Sequence, residues 1–486
     1  MKHRMSSFVT LVCCSLLIGG LVIASPAPLS AQCADGTSGP DNVDCTGSQG
    51  GGGTIETGNG DDDIHFDGVT DGTGINAGND NDTVQVDNSP ETGDIFLGSG
   101  NDSITINNST VDDDLDGGDG NDTIVNHGQV VDDLNGRGGD DSILNSGDVG
   151  GYLTGGDGAD TLTNDAGGQV AGDLDGGNDD DTLLNSGEVH GTLTGGRGND
   201  LIVNEVGGEV GSSDADIDGG SGDDTIINHG QALDDIDGEN GNDSMVNTGD
   251  VAFDFRGDGG ADTLGQPGDD TLVNSGTVGR RIRGEAGNDL IMNLGSVGDD
   301  IWGDSGNDTV QIIGENSRVD GVIDGGDDFD TLEFHFTTDS VSERTGFLNM
   351  LAQESASSGS IFWRGTEYRW ENFEQLMAFI SLIQQEAAQS GSEESFSIRV
   401  DNRLNWMDPA APVAVYCVAG QIHIYGINGG NGVFSLGAAM AELLDNGVFE
   451  ANGVLMTGSA TQINVIAGGY QFVFDPTLCA LPAPEV

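Results

Sequence analysis

Gly117-Gly118-Asp119-Gly120-Asn121-Asp122-Thr123-Ile124-Val125 is a nine-residue unit that returns along the chain. Further full copies occupy residues 155–163, 195–203 and 219–227, each fitting G-G-x-G-x-D-x-U-x with U a large aliphatic. Looser copies across residues 54–335 keep the aspartate and the aliphatic two residues on. The aspartates of this phase are Asp62, Asp82, Asp102, Asp122, Asp141, Asp160, Asp181, Asp200, Asp224, Asp243, Asp262, Asp270, Asp289, Asp308 and Asp330. Most steps are 19 or 20 residues, with a longer loop near Gly211 to Asp214 and an 8-residue step from Asp262 to Asp270. An acidic disordered linker has no reason to hold aspartates and aliphatics in phase, so the pattern predicts a stacked repeat array.

One carboxylate per turn, stacked at the spacing of neighbouring strands (about 4.8 Å), is a column of like charges. A cation between successive carboxylates turns that repulsion into cross-linking. Calcium suits the position, because it takes six to eight hard oxygens and glycine-rich turns expose backbone carbonyls.

The nonapeptide resembles that of the RTX (repeats-in-toxin, hemolysin-type) calcium-binding proteins. The resemblance implies a parallel β-roll in which the glycine-rich part turns and the last three residues form a short strand. It also implies several Ca2+ ions between adjacent turns, held by the motif aspartates and by carbonyls. This chain departs from the family pattern, since only every other half-turn is a good nonapeptide. In the intervening half, Leu134 takes the aliphatic place and Asp132 the ligand place. Elsewhere that place holds Gly151, Gly172, Gly191, Phe253 or Arg280, and only Asp113, Asp132, Asp234 and Asp299 keep a carboxylate. The expected ion ladder is therefore nearly continuous along one edge and patchy along the other.

Asn126, Asn145, Asn164, Asn185, Asn204, Asn228, Asn247, Asn274 and Asn293 follow motif aspartates by four residues, usually with a glycine shortly after. Both residue types tolerate the left-handed conformation of tight turns, and stacked asparagines can hydrogen-bond along the axis. This alternation also looks like passenger regions of bacterial autotransporters. Ile124, Ile143, Leu162, Leu183, Ile202, Ile226, Leu272 and Ile291 are one expected inward row; Val130/Leu134, Val149/Leu153, Val189/Leu193 and Val297/Ile301 line the other sheet. The same phase places Arg280 facing inward. So thin a core draws its stability from neighbouring turns and ions.

The chain has 486 residues, 83 glycines, 83 acidic and 14 basic residues, and a net charge of −69. Its 35% hydrophobic and 5% aromatic content argues against a large, densely packed enzyme core. The negative field repels phosphates, which excludes nucleic acid and anionic membrane surfaces as expected partners. Lys2, His3 and Arg4 before an apolar run from Phe8 to Ala24 read as a signal peptide over residues 1–31, with no membrane span after its cleavage. Location in the secreted fraction or on a bacterial cell surface follows. Export makes disulfides reasonable, and local pairing joins Cys33 to Cys45 and Cys417 to Cys479.

The expected organisation is all-β: an N-terminal cap over 32–53, a β-solenoid of about 14 turns over 54–335, a mixed α/β cap over 336–392, and a small disulfide-closed β module over 393–486. Within the cap, Phe347 to Leu351 suggest a short helix, Ile361–Trp363 and Tyr368–Trp370 two strands, and Phe373 to Ala388 a second helix. In the last module, Val413–Val418, Gln421–Ile427, Gln462–Ala467 and Tyr470–Phe474 read as strands and Leu436 to Leu444 as a helix.

Asp112-x-Asp114-x-Asp116-Gly117 and Asp214-x-Asp216-x-Asp218-Gly219 begin like EF-hand loops, but Thr123 and Thr225 stand at the twelfth positions, so they read as solenoid turns. Arg256-Gly257-Asp258 lies inside a degenerate repeat and reads as coincidence, and His127 and His229 read as turn residues. HExxH and GxSxG are absent. Ice binding wants a flat, regular Thr or Asn array, and the outward positions vary. The reading is a non-enzymatic calcium-binding solenoid with a structural or adhesive role, calcium and extracellular glycans being the expected partners. The competing class is a calcium-dependent polysaccharide lyase, for which Arg280, Arg281 and Arg283 are the only basic cluster.

Overall fold

The computed structural model describes residues 36–47, 52–212, 215–259, 268–338 and 340–382, together with the backbone of eight strands between 407 and 474. Cys33, Asp214, Asp262, Cys479, the leader and the expected helix at 436–444 lie outside the described residues. The chain winds into an all-β parallel solenoid of about 14 turns.

A representative turn contains Leu153–Asp157, Thr161–Asn164 and Gln169–Val170. Each strand pairs in parallel register with its counterparts one turn before and after, so Leu162 lies between Ile143 and Leu183. Three short strands per turn replace the two of a simple roll. In the early turns the second and third run on as one, as in Ser103–Val111. The inward aliphatic rows fall where the periodicity places them: Ile124, Leu162 and Ile291, and Val130, Leu134, Val189 and Leu193, are all buried.

Parallel stacking starts before residue 54. Asn42–Thr46 pairs with Asp63–Asp67, placing Cys45 opposite Phe66, both fully buried. The expected cap at 32–53 thus already carries a solenoid strand.

At the other end, Thr331–Thr338 is the last repeat strand, and a helix, Val341–Leu351, follows it. Ser340 caps that helix, its hydroxyl accepting from the Glu343 amide at 3.2 Å. Ser358–Trp363 and Thr366–Glu371 form an antiparallel hairpin. Phe334, Phe336, Phe347, Trp363, Tyr368 and Trp370 are buried together, with ring centroids 4.9–6.4 Å apart in the closest pairs. This cluster closes the apolar interior. The second helix expected from Phe373 onward is a strand instead: Gln375–Leu382 pairs in parallel with Thr331–Thr338. Unpaired N–H and C=O groups along that terminal strand are satisfied by another strand, and that demand overrides helix propensity.

The four strands expected in the C-terminal region are present, within two antiparallel four-stranded sheets that also include Met407–Asp408, Gly430–Ser435, Val448–Ala451 and Val454–Ser459. Cys417 lies in Val413–Val418. No helix among the described residues is long and apolar enough to cross a membrane.

Candidate metal centre

The motif aspartates lie on one line along the solenoid, nearly inaccessible to solvent: Asp122 is 1% exposed and Asp160 2%. Each is linked to the next by a single device. The backbone N–H of Asp122 donates to Oδ1 of Asp141 at 2.7 Å, Asp141 to Asp160 at 2.7 Å, and Asp160 to Asp181 at 2.7 Å. The chain of bonds runs from Asp41, through Asp62, to Asp308 and Asp330, and ends where the Asp330 amide donates to the Glu374 carboxylate at 2.8 Å. It passes directly from Asp243 to Asp270, 27 residues on.

Only Oδ1 is used. In Asp62, Asp82, Asp102, Asp122, Asp141, Asp160, Asp181, Asp200, Asp224, Asp243, Asp270, Asp289, Asp308 and Asp330, Oδ2 is buried without a hydrogen-bond donor. A buried, unsatisfied carboxylate oxygen is costly, and here the cost recurs at every described turn. The glycines explain where this oxygen goes. A Cβ placed on Gly136 would stand 2.3 Å from Asp141 Oδ2 and 2.6 Å from the carbonyl oxygen of Gly155; at Gly155 the corresponding distances to Asp160 Oδ2 and the Gly176 carbonyl are 2.3 and 2.6 Å. The missing side chain leaves room for a carboxylate oxygen and a carbonyl oxygen to converge. All-oxygen donor sets of this kind fit a hard cation such as calcium.

Burial dominates the proton affinity of the row. It raises Asp122 and Asp141 to about 7, Asp181 and Asp224 to about 8, and Asp243 to about 9. The amide hydrogen bond to Oδ1 opposes the rise, and carboxylates in adjacent turns add to it.

The opposite edge carries its own hydrogen-bond ladder, one residue on from the expected ligand aspartates. Asp132 is exposed, and its neighbour Asp133 makes the ladder contact, its Oδ1 accepting from the Tyr152 amide at 2.8 Å. The same bond joins Asp114 to Asp133, Asp173 to Thr192, Asp216 to Asp235, Asp235 to Asp254, Asp254 to Arg281, and Asp300 to Val322. Here the later turn donates to the earlier, the reverse of the buried row. The carboxylates immediately after Gly172 and Phe253 were the available signal. Asp113, Asp114 and Asp132 bring carboxylate oxygens within 4.8 Å of one another, as do Asp216, Asp234 and Asp235. The two EF-hand-like starts belong to solenoid turns.

The asparagine row is buried and continuous. Asn126 Nδ2 donates to Asn145 Oδ1 at 2.8 Å, and the bond repeats at 2.8–2.9 Å to Asn293, which donates to Ser317 Oγ at 3.0 Å. Oδ1 of Asn145 also accepts from the Gly147 amide at 3.2 Å. These asparagines are not left-handed, contrary to expectation: none of them has positive φ. Side-chain bonding along the axis, rather than backbone permissiveness, accounts for the residue type. A second, exposed ladder escaped the sequence reading: where the residue before a motif aspartate is Asn or Asp, as in Asn101, Asn121 and Asp140, its side chain accepts from the next turn's amide.

Arg280 does not face inward. Val278 and Ile282 are buried on either side of it, while its guanidinium stands 3.7 Å from Asp254 and 5.9 Å from the Phe253 ring centroid. Arg281 lies 3.7 Å from Asp299, and Arg283 contacts Glu285 at 2.5 Å and Asp304 at 3.0 Å. Each guanidinium of the cluster thus has a carboxylate beside it. Arg256 clamps Asp237 at 2.5 and 2.7 Å and Asp235 at 2.7 Å, and Asp258 is buried, so the Arg-Gly-Asp stretch is not displayed. His127 and His229 contact the hydroxyls of Ser146 and Thr248 one turn on.

No family model matches the sequence, and neither does any curated protein. Among solved structures, the chain is similar to a hyperactive, Ca2+-dependent, β-helical antifreeze protein from an Antarctic bacterium. The match has 21% sequence identity and a TM-score of 0.39, covering 74% of this chain and 93% of that one.

Proposed function

We propose that the protein is a secreted calcium-binding β-solenoid with a structural or adhesive role outside the cell, folded by Ca2+ ions held between successive turns. The observation that carries this reading is the row of buried Oδ2 atoms without donors, which from Asp122 to Asp308 lie beside a glycine whose absent Cβ would also meet a glycine carbonyl. Calcium would supply the missing positive charge to both oxygens and offset the repulsion within the column. The aspartates from Asp62 to Asp330 would be its ligands along one edge. Along the other, Asp132 with Asp113 and Asp114, and Asp234 with Asp216 and Asp235, would make scattered sites.

The RTX-like motif, the signal-peptide pattern and the paired cysteines support an exported protein in a calcium-rich, oxidising environment. We read the role as non-catalytic; a carboxylate within 4 Å of each of Arg280, Arg281 and Arg283 supports charge compensation as the use of that cluster. Elemental analysis of the purified chain after equilibrium dialysis tests the proposal. Several calcium ions per chain, displaced by chelator but not by excess magnesium, support it; one or none refutes it.

A further inference from the structure

The outward row beside the buried leucines changes character near the C-terminal cap. Arg283, Trp302 and Asp324 succeed one another in parallel register. The guanidiniums of Arg281 and Arg283, both from the turn before, stand 4.4 and 5.0 Å from the Trp302 ring centroid. Both hold the indole against the preceding turn. Toward the following turns lies an open cavity of about 390 Å³, lined by Trp302, Asp304, Asp324, Gly326, Asp327 and Asn372. Gly326 lets the turns approach closely at its rim: a Cβ there would stand 1.9 Å from the Asp304 carbonyl oxygen.

We infer that this cavity is a saccharide-binding subsite for an uncharged sugar ring. An aromatic plate held from behind offers an apolar surface to the C–H face of a pyranose, and the carboxylates accept its hydroxyl protons. Asn372 Nδ2 donates to Asp324 Oδ1 at 2.7 Å, and Arg283 Nε donates to Asp304 at 3.0 Å, which fixes two of these acceptors in place. The three carboxylates make the cavity repel uronic acids and other anionic sugars. The ligand class is therefore opposite to the acidic polysaccharides that an arginine cluster by itself would suggest. The site uses none of the buried aspartates and stands apart from the calcium proposal.

The test is titration calorimetry of the full chain, in calcium and with its circular dichroism recorded, against neutral oligosaccharides: β-1,4- and β-1,3-glucans, N-acetylchitooligosaccharides and mannans. Oligogalacturonate and choline serve as contrasts. Binding of at least one neutral member is expected, weakened tenfold or more by Trp302→Ala and several-fold by Asn372→Ala, with both variants retaining the wild-type spectrum. Loss of binding in a variant whose spectrum changes is checked with Trp302→Phe, which should retain measurable affinity. Absence of Trp302-dependent binding across the neutral panel overturns the inference, as does preference for oligogalacturonate or for choline.

Discussion

The backbone N–H of Asp141 donates to Asp160 Oδ1 at 2.7 Å, which leaves Asp160 Oδ2 buried and without a donor. The two oxygens of one carboxylate thus have separate tasks. Oδ1 holds the register between turns, and Oδ2 is the oxygen available to an ion.

Separating those tasks by mutation is the first prediction. Asp160→Asn can keep an oxygen for the Asp141 amide while removing the charge at Oδ2. It should lower the number of bound calcium ions or weaken the adjoining sites tenfold or more by calorimetry. Asp132→Ala, at an exposed position off the buried row, should change total binding far less. Equal losses would contradict a principal ladder on the buried edge.

Ion-free protein should be most stable in acid. Burial raises Asp122 and Asp141 to about 7 and Asp243 to about 9, so between the ordinary carboxylate range and those values the folded chain binds more protons than the unfolded one. Stability is then complete below about pH 4 and falls from there up to each group's folded value, about 7 for Asp122 and Asp141 and about 9 for Asp243, by about 1.4 kcal/mol per pH unit for each group. Thermal unfolding in chelator should show Tm decreasing as pH rises from 4, until the solenoid no longer folds without calcium near pH 7.5, and calcium should flatten the profile. A chelated protein that gains stability over that interval would contradict the arrangement.

Gly136→Ala probes the space beside the carboxylate. The new methyl would lie 2.3 Å from Asp141 Oδ2 and 2.6 Å from the Gly155 carbonyl. About 1–3 kcal/mol of destabilisation is expected from overpacking. The loss should be larger in calcium than in chelator at pH 5, because the methyl displaces the ion as well.

Asn185→Ala removes one rung of the buried amide row, which receives from Asn164 and donates to Asn204 at 2.9 Å. Leaving both neighbours unsatisfied should cost about 2–4 kcal/mol in urea unfolding of the calcium-loaded protein, with the number of bound calcium ions unchanged. Little effect would mean that the row contributes nothing beyond packing.

Much of this architecture was legible in the residues. The 19- and 20-residue steps placed Ile124, Ile143 and Leu162 in one inward row, because period and side-chain direction are coupled in a strand. The Asp122 row and the stacking of Asn126 on Asn145 were legible for the same reason. The hydrogen-bond ladder through Asp133 was not foreseen, because the opposite corner does not follow the nonapeptide and its side-chain bonding cannot be read from the motif phase. Gln375–Leu382 became a strand through a partner 44 residues away, which no local pattern reports. The Trp302 cavity depends on which side chains in adjacent turns are small, a relation visible only once turns are stacked.

The most direct test of the account is a calcium titration of the chelated protein at pH 7.5, followed by far-ultraviolet circular dichroism. The account predicts a β-signal that appears with calcium, saturates, and is lost on adding chelator. A solenoid spectrum already complete in chelator, unchanged by calcium, would contradict it.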